Sequence, residues 1–181
     1  HALSAHNGLQ TFGVLKGQMI MSSLELEEKI LRQIERLQLE YISSIDDGPL
    51  ENWPQFFTDP CLYLVNSRDN LERNMELGVM RFESVGMLVD RATATQHAAV
   101  FAPRRIRHVL GPVIIDEVTA QEIMTRTNVA IYQTSPDGDT MLLMVAQYQD
   151  LIAEDEGIYK FKEKRVIYDT LRLPDSVVYP L

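Results

Sequence analysis

The chain has 181 residues, 17 basic against 26 acidic, and a formal charge of −9. That length suits one domain burying roughly two-thirds of its unfolded surface, and the acidic balance argues against a nucleic-acid surface. Cys61 is the only cysteine, which excludes an internal disulfide and a Rieske-type cluster, and no apolar run approaches the ~20 residues of a membrane span.

A lone cysteine points to a reducing compartment, so a cytoplasmic location is expected. His1, His6, His97 and His108 are the only histidines. Neither of the internal pair has a carboxylate two residues on, so the common spacing of a two-histidine-one-carboxylate iron site is missing, and a dedicated zinc site is not expected.

Residues 1–21 hold a single charged side chain, Lys16, among Gly and small polar residues. They are set apart as a leader or N-terminal arm, and 22–181 as a single α+β domain. Ser22-Ser23-Leu24-Glu25 has the form of a capping box that would open a helix there. Leu26, Ile30, Ile34, Leu37, Tyr41 and Ile45 then recur every three or four residues, one apolar stripe on a helix of about 24 residues. Asp46-Asp47-Gly48-Pro49 ends it, Gly48 suiting a left-handed terminal residue and Pro49 being unable to extend the helix.

Glu51 to Phe57 predicts a short helical turn with Trp53, Phe56 and Phe57 facing the core, and Leu62 to Val65 a short strand. Asn66 to Met80 is polar and predicts a loop with a helical turn. Arg81 to about His97 predicts a second amphipathic helix, weakened by Gly86. Beyond Pro103 the period changes to two. Arg105 to Val118 is a strand interrupted at Gly111-Pro112. Ile123, Thr125, Thr127, Val129 and Ile131 share one face of the next strand. Ser135-Pro136-Asp137-Gly138 is a hairpin turn, Met141 to Ile152 returns, Glu154 to Gly157 turns again, and Ile158 to Leu171 is the last long strand. Helices followed by an antiparallel meander give an α+β cone, a helix closing one side of a curved sheet. Such a cone has room for an apolar pocket inside.

Within such a pocket His108 would serve as a general base with Asp59 or Asp90; the plainer reading is a histidine bonded within the sheet or at a subunit contact. His97 suits a helix C-terminus. Arg104, Arg105 and Arg107 form a basic cluster fitted to carboxylates of a partner. Tyr159-Lys160-Phe161-Lys162-Glu163-Lys164-Arg165 alternates as a strand does, with Tyr159 and Phe161 on one face and Lys160, Lys162 and Lys164 on the other. Cys61 lacks an activating histidine and reads as an inert thiol. Val177, Val178, Tyr179 and Leu181 need burial, on the chain's own sheet or between subunits.

Taken in order, Trp53-Pro54-x-Phe56-Phe57-Thr58, Arg107-His108-x-x-Gly111 and Tyr168-Asp169…Val178-Tyr179-Pro180-Leu181 resemble the small (beta) subunit of bacterial aromatic-ring-hydroxylating dioxygenases. The likeness spans residues 24–181 and is nearest to the subunits acting with salicylate 5-hydroxylase and with anthranilate and terephthalate dioxygenases. It implies a cone of the cystatin-like, scytalone-dehydratase-like kind, on a long curved mixed sheet. It also implies a noncatalytic chain without cofactor or metal, in a hexamer of three large and three small subunits. The large (alpha) subunit would hold a Rieske [2Fe–2S] cluster and a mononuclear non-heme iron, fed by an NAD(P)H-dependent reductase. Arg104, Arg105, Arg107, Tyr179 and Leu181 are the candidate partner contacts. The alternatives are a free-standing dehydratase or isomerase using His108 with Asp59, and a module that binds a small ligand.

Overall fold

A computed structural model describes residues 3–75, 78–97, 105–170, 173 and 179–181, with side chains from Leu24 onward. Helix α1 runs Leu3–Asp46 without interruption, so Ser22 is not its start and the capping-box expectation fails there. The stripe is correct from its middle onward. Ile34, Leu37, Tyr41 and Ile45 are buried, Ile30 is half-buried, and Leu26 is exposed because the helix there has run past the edge of the sheet's core. Gly48 sits at φ +69°, the left-handed conformation that a residue with a Cβ resists, and turns the chain out of the helix.

A 3-10 helix, Leu50–Phe56, follows and carries Trp53 into the core. Strand β1 is Phe57–Ser67, longer than Leu62–Val65. Helix α2 (Arg68–Glu72) is the helical turn anticipated in the polar stretch. Strand β2, Met80–Phe82, was not foreseen. Three residues give no visible period, and Phe82 belongs there because its ring stacks on Tyr63 at 6.0 Å. Helix α3 therefore begins later than expected, at Val85, and ends at His97. Ser84 Oγ accepts the Met87 N–H at 3.3 Å and caps it.

Strands β3 (Arg105–Leu110), β4 (Ile114–Val118), β5 (Glu122–Thr134), β6 (Thr140–Asp155) and β7 (Ile158–Tyr168) complete the elements. The sheet has seven strands in the order β2-β1-β7-β6-β5-β3, with β4 also on β5. Strands β5, β6 and β7 form the expected antiparallel meander. The mixed character comes from β1, which lies parallel to β7.

The concave face holds the core. Ile123, Thr125, Thr127, Val129 and Ile131 all point inward and are buried, as their alternation requires. Tyr41 lies edge-on to Phe161 at 5.3 Å and Trp53 edge-on to Tyr63 at 5.2 Å. Phe57 joins Phe161 at 5.6 Å. These contacts are the offset geometries aromatic quadrupoles favour. Rings therefore occupy the space in which a pocket was expected.

Candidate functional site

His108 lies on β3 with its imidazole wholly enclosed, and its partner is Asp46, the last residue of α1. Asp46 Oδ2 accepts the backbone N–H of His108 at 2.9 Å, and Oδ1 meets the ring Nδ1 at 2.6 Å. A carboxylate can only accept, so Nδ1 carries the proton in this pair. The Asp59 pairing is not found. Asp59 is exposed on β1, and its Oδ1 accepts the backbone N–H of Val85 at 3.4 Å, at the start of α3. Asp90 is exposed on α3. The two hydrogen bonds join helix end to sheet edge, which is the work of a structural pin. One exposed pair continues it: Arg107 Nη1 meets Asp47 Oδ1 at 2.7 Å.

A second buried polar group was missed. Lys164 is enclosed together with Asp150, its cross-strand neighbour on β6, and Gln38 of α1. Lys164 Nζ donates to Asp150 at 3.1 and 3.2 Å and to Gln38 Oε1 at 3.1 Å. Gln38 Nε2 closes the ring onto Asp150 at 2.5 Å. The ammonium also faces the rings of Tyr148 at 3.8 Å, Phe161 at 4.1 Å and Tyr41 at 4.5 Å. Burial pushes the amine down to about 8, against the opposing pull of Asp150. The same burial raises the Asp150 carboxyl, despite Lys164 and the Gln38 amide.

Simple alternation put Lys164 outward with Lys160 and Lys162, and the structure corrects this. The pairing of β6 with β7 steps from Leu151↔Glu163 to Ile152↔Phe161, so Lys162 is the extra residue of a bulge. Phe161 points in before it and Lys164 points in after it. A charged residue at a bulge beside an aromatic run leaves no periodic mark, which is why the sequence concealed it.

Among the remaining candidates, Arg105 and Arg107 are exposed on the outer face of β3 and His97 ends α3. Arg104 lies outside the described residues. Leu181 is buried in its own core. Its carbonyl accepts from Tyr41 Oη at 2.7 Å and Tyr63 Oη at 3.1 Å, and its N–H donates to Tyr63 Oη at 2.7 Å. Its side chain and its backbone N–H and carbonyl are therefore all engaged within this chain. Tyr179 is half-buried against the same core. Val177 and Val178 are outside the described residues. Cys61 is buried and burial pushes its thiol up to about 11, which keeps it protonated and inert at neutral pH.

Outside the core, a cavity of about 590 Å3 opens to solvent between α1, the 3-10 helix and the β6–β7 turn, lined by residues such as Arg36, Glu40, Phe56 and Tyr159. Its charged pair, Arg36 and Glu40, is satisfied internally at 2.7 Å. Among the described residues no three His, Cys, Asp or Glu side chains gather as a metal site, and no helix is long and apolar enough to cross a membrane.

This architecture has known counterparts. The chain is 29% identical to the anthranilate 1,2-dioxygenase small subunit of Burkholderia cepacia, over 89% of this chain and 100% of that one. A beta subunit of an aromatic-ring-hydroxylating dioxygenase from Novosphingobium aromaticivorans superposes with a TM-score of 0.78 at 30% identity, covering 85% of this chain and 97% of the other. A scytalone dehydratase-like structure from the same organism shares the fold alone, at 17% identity and TM-score 0.63 over 86% and 97% of the two chains. The sequence profile of the ring hydroxylating beta subunit matches residues 42–175. The chain thus belongs to the ring-hydroxylating beta subunit family, the small subunits of aromatic-ring-hydroxylating dioxygenases.

Proposed function

We propose that this chain is a noncatalytic structural subunit of a multicomponent oxygenase that hydroxylates an aromatic carboxylate. In this reading three copies assemble with three large subunits in the cytoplasm. Each large subunit holds a Rieske [2Fe–2S] cluster and a mononuclear non-heme iron, reduced from NAD(P)H through a separate reductase. Residues 22–181 act as one cone domain, preceded by 1–21 as a leader or N-terminal arm. The ring substrate is selected by the large subunit.

One observation carries the reading. The concave face, where a cone enzyme would bind its substrate, is filled: Tyr41, Trp53, Tyr63, Tyr148 and Phe161 are 0% exposed. The buried polar groups beneath α1 are engaged with one another, Lys164 with Asp150 and His108 with Asp46. A general base needs its reacting proton within hydrogen-bond reach, and the enclosed His108 ring offers a substrate no approach.

Co-expression with the large subunit, followed by native mass and visible absorption, tests the proposal. The expected product is a complex of three and three subunits with Rieske-type absorption bands, and a colourless chain when expressed alone. A colourless chain that ignores the large subunit and itself turns over a dehydratase or isomerase substrate would overturn it.

A further inference from the structure

Two tyrosine hydroxyls inside the cone converge on a single oxygen. The Leu181 carbonyl accepts from Tyr41 Oη at 2.7 Å and from Tyr63 Oη at 3.1 Å, and Tyr63 Oη accepts the Leu181 N–H in return. Tyr41 comes from α1 and Tyr63 from β1, so helix and sheet aim their donors at one point. A third phenol, Tyr148 on β6, has no hydrogen-bond partner for its enclosed Oη among the described residues, and neither has Nε2 of His108. Burial, and after it the Tyr63 hydroxyl, raises Tyr41 and Tyr148 above the usual phenol range, so both remain O–H donors at neutral pH. Buried polar atoms normally find partners. The sheet and helices leave Tyr148 Oη and His108 Nε2 without one, and give the Tyr41 and Tyr63 hydroxyls the Leu181 carbonyl.

Leu181 differs from the rest of the core in how it is held. Segment 179–181 belongs to no strand or helix, yet Leu181 is 1% exposed and Pro180 is buried beside it. Its hydrogen bonds run to side chains of α1 and β1, where a strand would be held by a ladder of backbone bonds. Such a segment leaves its seat without unpairing any strand, at a free energy below that of global unfolding.

We infer that the interior beside Tyr41 and Tyr63 is a ligand site, and that segment 179–181 occupies it as a removable plug. The class of ligand follows from what Leu181 presents there: a compact branched side chain packed in the core, and one carbonyl oxygen held by two O–H donors. A small branched carboxylic acid or its amide reproduces both features. Paired donors in an enclosed site favour an oxygen that carries negative charge, and the unpaired Tyr148 hydroxyl lies within electrostatic reach of Tyr63 as a further donor. The site lies wholly within this chain, so it goes beyond the assembly proposed above and does not depend on it.

The test compares the full chain with a variant lacking residues 179–181. The probes are isocaproate, which has the carbon skeleton of leucine without its nitrogen, and isocaproamide. Trp53, the only tryptophan, lies edge-on to Tyr63 at 5.2 Å and reports binding by its fluorescence. The shortened chain is expected to unfold cooperatively at a lowered Tm. Either probe, or both, should change its Trp53 emission saturably and raise its Tm, while the full chain responds at least tenfold more weakly. Tyr63→Phe in the shortened chain should weaken binding several-fold. A shortened chain that folds and responds to neither probe overturns the assignment, as does an equal response from the full chain, which places the probe elsewhere. Hydrogen exchange in the full chain decides the matter even if the shortened chain fails to fold. The Leu181 N–H should exchange about a hundredfold faster than the β1 amides paired with β7. It should exchange faster still as isocaproate takes the vacated seat. Protection of Leu181 equal to that of β1, or exchange indifferent to both probes, overturns the plug and its site.

Discussion

Replacing Asp150 by Leu leaves Lys164 enclosed by rings and the Gln38 amide, without its counter-charge. At the 3.1 Å separation of Nζ and Oδ2, with an effective dielectric of about 20, the attraction lost is roughly 5 kcal/mol. Desolvation of the ammonium, several kcal/mol, remains. The single change should therefore destabilise the chain by about 3–5 kcal/mol, or about 10 °C in Tm for a domain of this size. Lys164→Met strands Asp150 in the same way and should cost about as much. The double variant removes both penalties and should return to within about 1–2 kcal/mol of the native chain. Urea unfolding of the four proteins at pH 7 gives the coupling directly. Additive losses below about 1 kcal/mol each would refute the claim that the pair is an interdependent buried unit. The lysine also makes a pH signature. Its amine is pushed down to about 8 from an ordinary 10.5, so between those values the unfolded chain binds more protons than the folded one. The Lys164 contribution to stability rises with pH through that window, by up to about 3 kcal/mol, and above pH 9 the raised Cys61 thiol opposes it, so the net rise is confined mainly to pH 8–9. The raised Asp150 carboxyl acts with the opposite sign in the acid range, favouring the fold as it is protonated. Lys164→Met should abolish the alkaline rise.

Asp46→Ala removes the acceptor for both N–H groups of His108 and should cost about 3 kcal/mol in equilibrium unfolding, with Asp46→Asn milder because one acceptor oxygen survives. Gly78→Ala would put a Cβ 2.3 Å from the Val65 carbonyl oxygen. It should lower stability by about 2 kcal/mol or more, and native-like thermal melting would contradict that close approach. Cys61 should resist a disulfide reagent at pH 8 in the folded chain and react fully on addition of guanidinium. Rapid labelling of the native protein would contradict its buried, protonated state.

Periodicity carried the long elements. The α1 stripe from Ile34 to Ile45 and the inward row of β5 were legible because one side chain in two, or one in three and four, had to be apolar. Strand β2 was hidden by its brevity, and its existence depends on Tyr63, a partner distant in sequence. The Lys164 network was hidden for a different reason: a bulge changes which face a residue occupies without changing its neighbours in the chain. His108 was legible as a residue of interest. Asp46 was not, because a residue that ends one helix finds its partner on β3 only through folding.

The parallel pairing of β1 with β7 orders events during synthesis. Phe57 lies opposite Phe161, and Tyr41 also rests on that ring, so the aromatic centre stays open until the last strand has left the ribosome. More than half of the chain must wait with its rings uncovered. Contacts so distant in sequence slow folding and expose apolar surface meanwhile. The nascent chain is therefore a natural client for chaperones, and overexpression should send a share of it to inclusion bodies that slower translation at low temperature recovers.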